Sequence, residues 1–115
     1  MKLHNKENRE VLKERILQEK EHRMTVSFYN YYHLKNAEFV RDYLFIEFDK
    51  LGVLGRIYVA KEGINAQASV PTKNWDAFVA FMESVEFLKG LRLNTAVEND
   101  DKSFFKLIVR LKEKI

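Results

Sequence analysis

Residues of the types that most often carry out catalysis are sparse in this chain. It contains no cysteine, which excludes thiol nucleophiles, thiolate metal sites, redox pairs and disulfides. Its three histidines, His4, His22 and His33, are far apart and lack the close spacing to carboxylates or other histidines that metal sites use. We therefore predict no catalytic residue, no metal site and no bound cofactor in this segment.

Tyrosines beside basic residues suggest a binding role instead. Tyrosine rings can stack on unpaired bases, while Arg and Lys can neutralise phosphates. The predicted contact residues are Tyr29, Tyr31, Arg56, Tyr58, Glu62, Asn65, Lys106 and Arg110. Two other interpretations stay open: the same surface packs against another protein domain, or the tyrosines simply occupy strand positions that suit them.

The elements that must position these residues begin with a strand. Alternation from Met24 places Val26 and Phe28 on one face. Tyr29 and Tyr31 then fall on the other face. Asn36 is suited to cap a following helix, which we expect to end at Gly52. The apolar residues of this helix recur at helical spacing: Ala37, Val40, Leu44, Phe48 and Leu51.

A hairpin and a second helix follow. Residues 55–60 and 64–70 read as two strands joined by a turn, which puts Glu62 at the hairpin tip. Thr72 is suited to cap the second helix, and Gly90 to close it. Alternation from Phe104 to Lys112 predicts the final strand, whereas Leu91–Val97 is at most a short extended stretch.

This order predicts an α+β fold with the split βαβ arrangement of ferredoxin-like and acylphosphatase-like domains. We expect a four-stranded antiparallel sheet with two helices on one face, formed by residues 24–115. Residues 1–23 read as a polar N-terminal helical arm.

Acylphosphatase chemistry needs a backbone anion cradle with an Arg after the first strand. Residues 30–35 contain neither Gly nor Arg, so we do not expect acylphosphatase activity.

Length and composition indicate one globular domain: 115 residues, 46% hydrophobic and 32% charged. The net charge is only +3, with 20 basic against 17 acidic residues, so charge alone favours a protein partner slightly over RNA.

The start MKLHNKENRE lacks the apolar segment of a signal peptide, and no apolar run is long enough to span a membrane. We expect a cytoplasmic location and no membrane partner.

From about Val26 onward the chain resembles the amino-terminal domain of the rhodanese-containing tRNA uridine hydroxylase family. The matching segments are Val26-Ser27-Phe28-Tyr29, Gly55-Arg56-Ile57-Tyr58, Glu62-Gly63-Ile64-Asn65-Ala66-Gln67, Ser69-Val70-Pro71, Leu91-Arg92-Leu93-Asn94, Asp101-Lys102-Ser103-Phe104 and Val109-Arg110. The segments together are far more specific than any one of them.

The resemblance implies an acylphosphatase-like domain followed by a rhodanese domain with an essential cysteine. It also implies oxygen-dependent hydroxylation of the wobble uridine of certain tRNAs to 5-hydroxyuridine. Since this chain has no cysteine, we expect it to be inactive alone, as an accessory domain that contacts tRNA or docks the rhodanese domain. The alternative is a stand-alone interaction or ligand-binding module of ferredoxin-like fold.

Overall fold

The structure is a computed structural model that describes residues 22–97 and 106–115. Its elements, in chain order, are β1 (Arg23–Tyr31), α1 (Ala37–Lys50), β2 (Leu54–Ala60), β3 (Gly63–Pro71), α2 (Trp75–Ser84), β4 (Asn94–Val97) and β5 (Leu107–Leu111). A 3-10 turn over Thr72–Asn74 leads into α2. The predicted arm lies outside the described residues except for its last two, His22 and Arg23.

The strands form one mixed sheet in the order β4-β1-β3-β2-β5. β1 pairs antiparallel with β3 and β4, and β2 pairs antiparallel with β3. β5 lies on the outer side of β2 and runs parallel to it. The α+β arrangement with two helices is confirmed, and its sheet has one strand more than predicted.

The prediction of four antiparallel strands is wrong at both edges of the sheet. The strand that completes the split βαβ unit is β4, which pairs with β1 from Met24 opposite Val97 to Ser27 opposite Asn94. The predicted final strand is instead a fifth strand, held beside β2 by bonds from Gly55 N–H to the Lys106 carbonyl and from Lys112 N–H to the Val59 carbonyl. Alternation identifies a strand but neither its neighbour nor its direction, and β4 is too short to show a clear alternation.

The two helices begin differently. Asn36 caps α1 as predicted, because its side-chain oxygen accepts a hydrogen bond from Phe39 N–H at 3.0 Å. Gly52, with φ of +72°, follows the end of α1. Thr72 does not cap α2: its hydroxyl donates to the His22 carbonyl at 2.9 Å, and the helix begins at Trp75.

Both helices cover the same face of the sheet, and the core lies between the two layers. α1 packs over β2 and β5, while α2 lies beside β3. The largest side chains in this core are fully buried: Phe28, Phe48, Phe78, Leu44, Ile57, Ile64, Met82 and Leu88. The predicted assignment of strand faces is therefore confirmed, with Val26 and Phe28 inside.

This assignment can be tested with two adjacent residues of β1. Phe28→Ala should lower the free energy of unfolding by about 3–5 kcal/mol, because it leaves a cavity in the core. Tyr29→Ala, one position along and on the other face, should change it by no more than about 0.5 kcal/mol. Urea unfolding of both variants measures the difference, and similar losses would show that the faces are not separated in this way.

Candidate functional site

The sheet face away from α1 and α2, here called the open face, carries most of the predicted contact residues. Cross-strand pairing aligns four of them in a row over four adjacent strands. Tyr29 lies opposite Asn65, Asn65 opposite Tyr58, and Tyr58 opposite Arg110. Because directly paired residues point to the same side of a sheet, these four side chains share the open face.

A second row runs beside the first. Gln67 of β3 lies opposite Ser27 on one side and Arg56 on the other, and Arg56 lies opposite Ile108. Arg56 and Gln67 are exposed. The two rows together bring tyrosines, amides and guanidinium groups onto one continuous surface.

Tyr29 and Tyr31 are the most accessible rings of this surface, at 64% and 68% exposure. Their ring centroids are 6.4 Å apart and the planes meet at 76°, so the edge of one ring faces the other ring. Large side chains this exposed gain little from burial within the domain. They are available for contact with a partner.

Tyr58 differs from these two tyrosines because a lysine covers it. Tyr58 is half-buried, and the ammonium of Lys112 lies 4.9 Å from its ring centroid. The sequence prediction missed Lys112, although it follows Arg110 by two residues and alternation places it on the same face. This cation–π contact holds a positive charge beside Arg110 on the open face.

Two predicted residues lie at the margins of the open face. Glu62 sits in the hairpin turn, where its carboxylate accepts a hydrogen bond from Ile115 N–H at 2.8 Å. Lys106 is half-buried and directly precedes β5, near the opposite end of the sheet. The structure therefore brings Tyr29, Tyr31, Arg56, Tyr58, Asn65 and Arg110 together, and places Glu62 and Lys106 at the margins of that group.

Charge is divided between the two layers of the domain. The described strands contain no Asp or Glu, whereas the helices contain Glu38, Asp42, Glu47, Asp49, Asp76 and Glu83. The basic residues of α1 are already paired, Arg41 with Glu38 and Asp42, and Lys50 with Glu47. Among the described residues, the strands are thus basic and the two helices are acidic.

A buried arginine at the start of β1 was also missed by the sequence prediction. Arg23 is 4% exposed, and its Nη1 donates to the carbonyl oxygens of Gly52 at 3.1 Å and Ser69 at 3.2 Å. It therefore joins β1 to β3 and to the residues after α1. Such burial with backbone acceptors indicates a structural role.

The loop between β1 and α1 is joined by backbone hydrogen bonds to the turn between β2 and β3. The N–H groups of Tyr32 and Leu34 donate to the carbonyls of Glu62 and Lys61 in the hairpin turn, at 2.9 and 2.8 Å. These donors are used inside the fold and do not converge on a ligand position.

Within 22–97 and 106–115, no three His, Asp or Glu side chains form a group suited to a metal ion. Neither α1 nor α2 is long and apolar enough to cross a membrane.

The hairpin tip that carries Glu62 and leads to Asn65 depends on a glycine. Gly63 has φ of +147°, and a Cβ there would overlap the carbonyl oxygen of Asn30 on the neighbouring strand. The absence of a side chain lets β1 and β3 approach at the end of the sheet. Tyr31, directly opposite Gly63, depends on the same close approach.

Comparison with known proteins identifies the fold as one of a described family. Residues 23–115 match the family described as UPF0176 acylphosphatase like domain. The matched range takes in every described helix and strand.

Individual relatives are similar over nearly the whole chain. A tRNA uridine(34) hydroxylase of Yersinia pestis (strain Pestoides F) is 52% identical over 114 residues, covering 98% of this chain and 32% of that protein. A tRNA uridine(34) hydroxylase of Leptospira interrogans serovar Lai is 47% identical over 113 residues, covering 98% of this chain and 31% of that protein. The chain thus spans about a third of the length of these relatives.

Replacing Gly63 tests the construction of the hairpin tip. Gly63→Ala should lower the free energy of unfolding by about 3 kcal/mol or more, since backbone strain alone costs about 1–3 kcal/mol and the overlap adds to it. Gly90→Ala is the matched control, with φ of +75° but open space around the new Cβ, and should cost about 1–2 kcal/mol. Equal losses in urea unfolding would contradict the close approach of β1 to Gly63.

Proposed function

Because the chain belongs to the family of UPF0176 acylphosphatase-like domains, we propose that it is the N-terminal accessory domain of a tRNA uridine hydroxylase and presents its open face to tRNA. Residues 24–115 form this domain, preceded by the arm of residues 1–23. A rhodanese domain follows it in the full-length enzyme. The enzyme acts in the cytoplasm, where its tRNA substrate is found.

The chemistry of hydroxylation belongs to the rest of the enzyme. The relatives named tRNA uridine(34) hydroxylase are about three times as long as the portion that this chain matches. The essential cysteine of the rhodanese domain has no counterpart here, since the chain has none. We assign no catalytic residue to this domain, whose contribution is to bind and orient tRNA for the reaction.

The observation that carries the tRNA contact is the separation of charge. Arg56, Arg110 and Lys112 lie on a sheet layer whose described strands have no carboxylate, so a polyanion approaching this layer meets no fixed negative charge within those strands. On the helical layer the same polyanion would meet carboxylates. Phosphate contacts of this kind supply much of the affinity of proteins for nucleic acids.

Docking of the rhodanese domain onto the open face is the second candidate function. Tyr29 and Tyr31 favour it as well, because exposed Tyr is enriched in protein interfaces. The basic character of the face, in contrast, gives no reason to prefer docking of the rhodanese domain to contact with tRNA. A stand-alone interaction module remains a third outcome, to be expected if neither tRNA nor the rest of the enzyme binds this face.

A titration of the 115-residue chain with tRNA at several salt concentrations tests the proposal. Arg56→Ala and Arg110→Ala should each weaken binding and lower the slope of log K against log salt by about one, because each removes a phosphate contact. Arg41→Ala is the matched control, a guanidinium lost from the helical layer. Thermal unfolding of each variant confirms that it is folded.

Two results would contradict the tRNA contact. One is salt-insensitive binding, and the other is an equal loss of affinity in the Arg41 variant and the open-face variants. If the chain alone does not bind tRNA while Arg56→Ala loosens the interdomain contact in the full-length enzyme, the open face is a docking surface for the rhodanese domain.

A further inference from the structure

The rings of the open face differ in what they can contact. Tyr29 and Tyr31 are exposed, and their ring centroids are only 6.4 Å apart, so a flat ligand stacked on Tyr29 would lie near the Tyr31 ring. The ring of Tyr58 already has the Lys112 ammonium over it. The β1 side of the open face thus offers rings for stacking, whereas positive charge is concentrated on its β5 side.

Amide side chains lie between these two ends. Asn65 and Gln67 are exposed on β3, the central strand, and each has a β1 residue on one side and a β2 residue on the other. Within residues 22–97 and 106–115 neither amide has a hydrogen-bond partner. Since neighbouring strands are about 4.8 Å apart, Asn65 lies about 5 Å from the strands that carry Tyr29 and Tyr58. An amide has both donors and an acceptor, as the edges of bases do.

We propose that the open face binds an unpaired stretch of RNA, with a base stacked on Tyr29 and with Asn65 and Gln67 hydrogen-bonding to base edges. Arg56, Arg110 and Lys112 then contact the phosphates of the same strand. In duplex RNA the base faces are stacked inside the helix, so these rings could not reach them. The inference rests on the tRNA contact proposed above and specifies which part of a tRNA it involves: an unpaired loop or end.

Binding of short labelled RNAs to the 115-residue chain tests this inference. A single-stranded RNA should bind more tightly than the same sequence held in a duplex, at equal salt. Tyr29→Ala should weaken single-strand binding about tenfold, in the range found for loss of one stacked base, while Tyr29→Phe retains the ring and should bind as the parent chain does. Phe39→Ala is the control, since Phe39 is similarly exposed, at 63%, on the helical layer.

Base reading is measured with single-stranded homopolymers of the four bases. Asn65→Ala should reduce the differences in affinity between them, since it removes hydrogen bonds to base edges and leaves the stacking ring in place. Unchanged base preference in Asn65→Ala and Gln67→Ala would refute the role of the amides.

The outcomes separate this inference from the function on which it rests. Equal affinity for single-stranded and duplex RNA, or equal effects of Tyr29→Ala and Phe39→Ala, would overturn the inference. If tRNA binding then still depended on Arg56 and Arg110, the proposed function would stand. Absence of binding to any RNA at low salt would overturn both.

Discussion

The antiparallel pairing of β1 with β3, in which Phe28 lies opposite Ala66, is the contact on which the rest of the structure depends. The small Ala66 leaves room beside Phe28 on the helix-covered face, and both side chains are almost fully buried. A shift of one residue would turn Phe28 to the open face and Tyr29 into the core. The same register that closes the core therefore also aligns Tyr29 with Asn65 and, across β3, with Tyr58.

One-sided burial explains why the faces could be predicted from the sequence. Residues such as Val26, Phe28 and Ile57 alternate with polar or aromatic residues, and helices on one side bury only one of the two sets. Six of the eight predicted contact residues consequently meet on the open face. Lys106 and Glu62 lie at its margins, because alternation does not show how far along the sheet a residue lies.

Features that depend on long-range pairing could not be predicted in the same way. β4 has four residues, and only its position beside β1 identifies it as the strand that completes the split βαβ unit. β5 was predicted from a clear pattern, but its parallel pairing with β2 depends on contacts remote in sequence. The burial of Arg23 has the same origin, since its carbonyl acceptors belong to Gly52 and Ser69.

Net charge does not show how charge is distributed, because it averages over two different layers. A value of +3 slightly favours a protein partner, yet the fold places the carboxylates of α1 and α2 on one side, and the strands that the structure describes contain none. Basic residues on edge strands also discourage pairing with other chains, and Arg110 on β5 is placed where it can have this effect. Arg56 lies on β2, an inner strand, where protection of an edge does not explain it.

The central claim, that tRNA meets the open face, is tested most directly by mapping tRNA binding onto the backbone amides of the chain by nuclear magnetic resonance. The account predicts that tRNA shifts the amide signals of Tyr29, Asn65, Arg56 and Arg110 and leaves those on the outer side of α1 unchanged. Shifts concentrated on α1 and α2, with the strands unaffected, would contradict it.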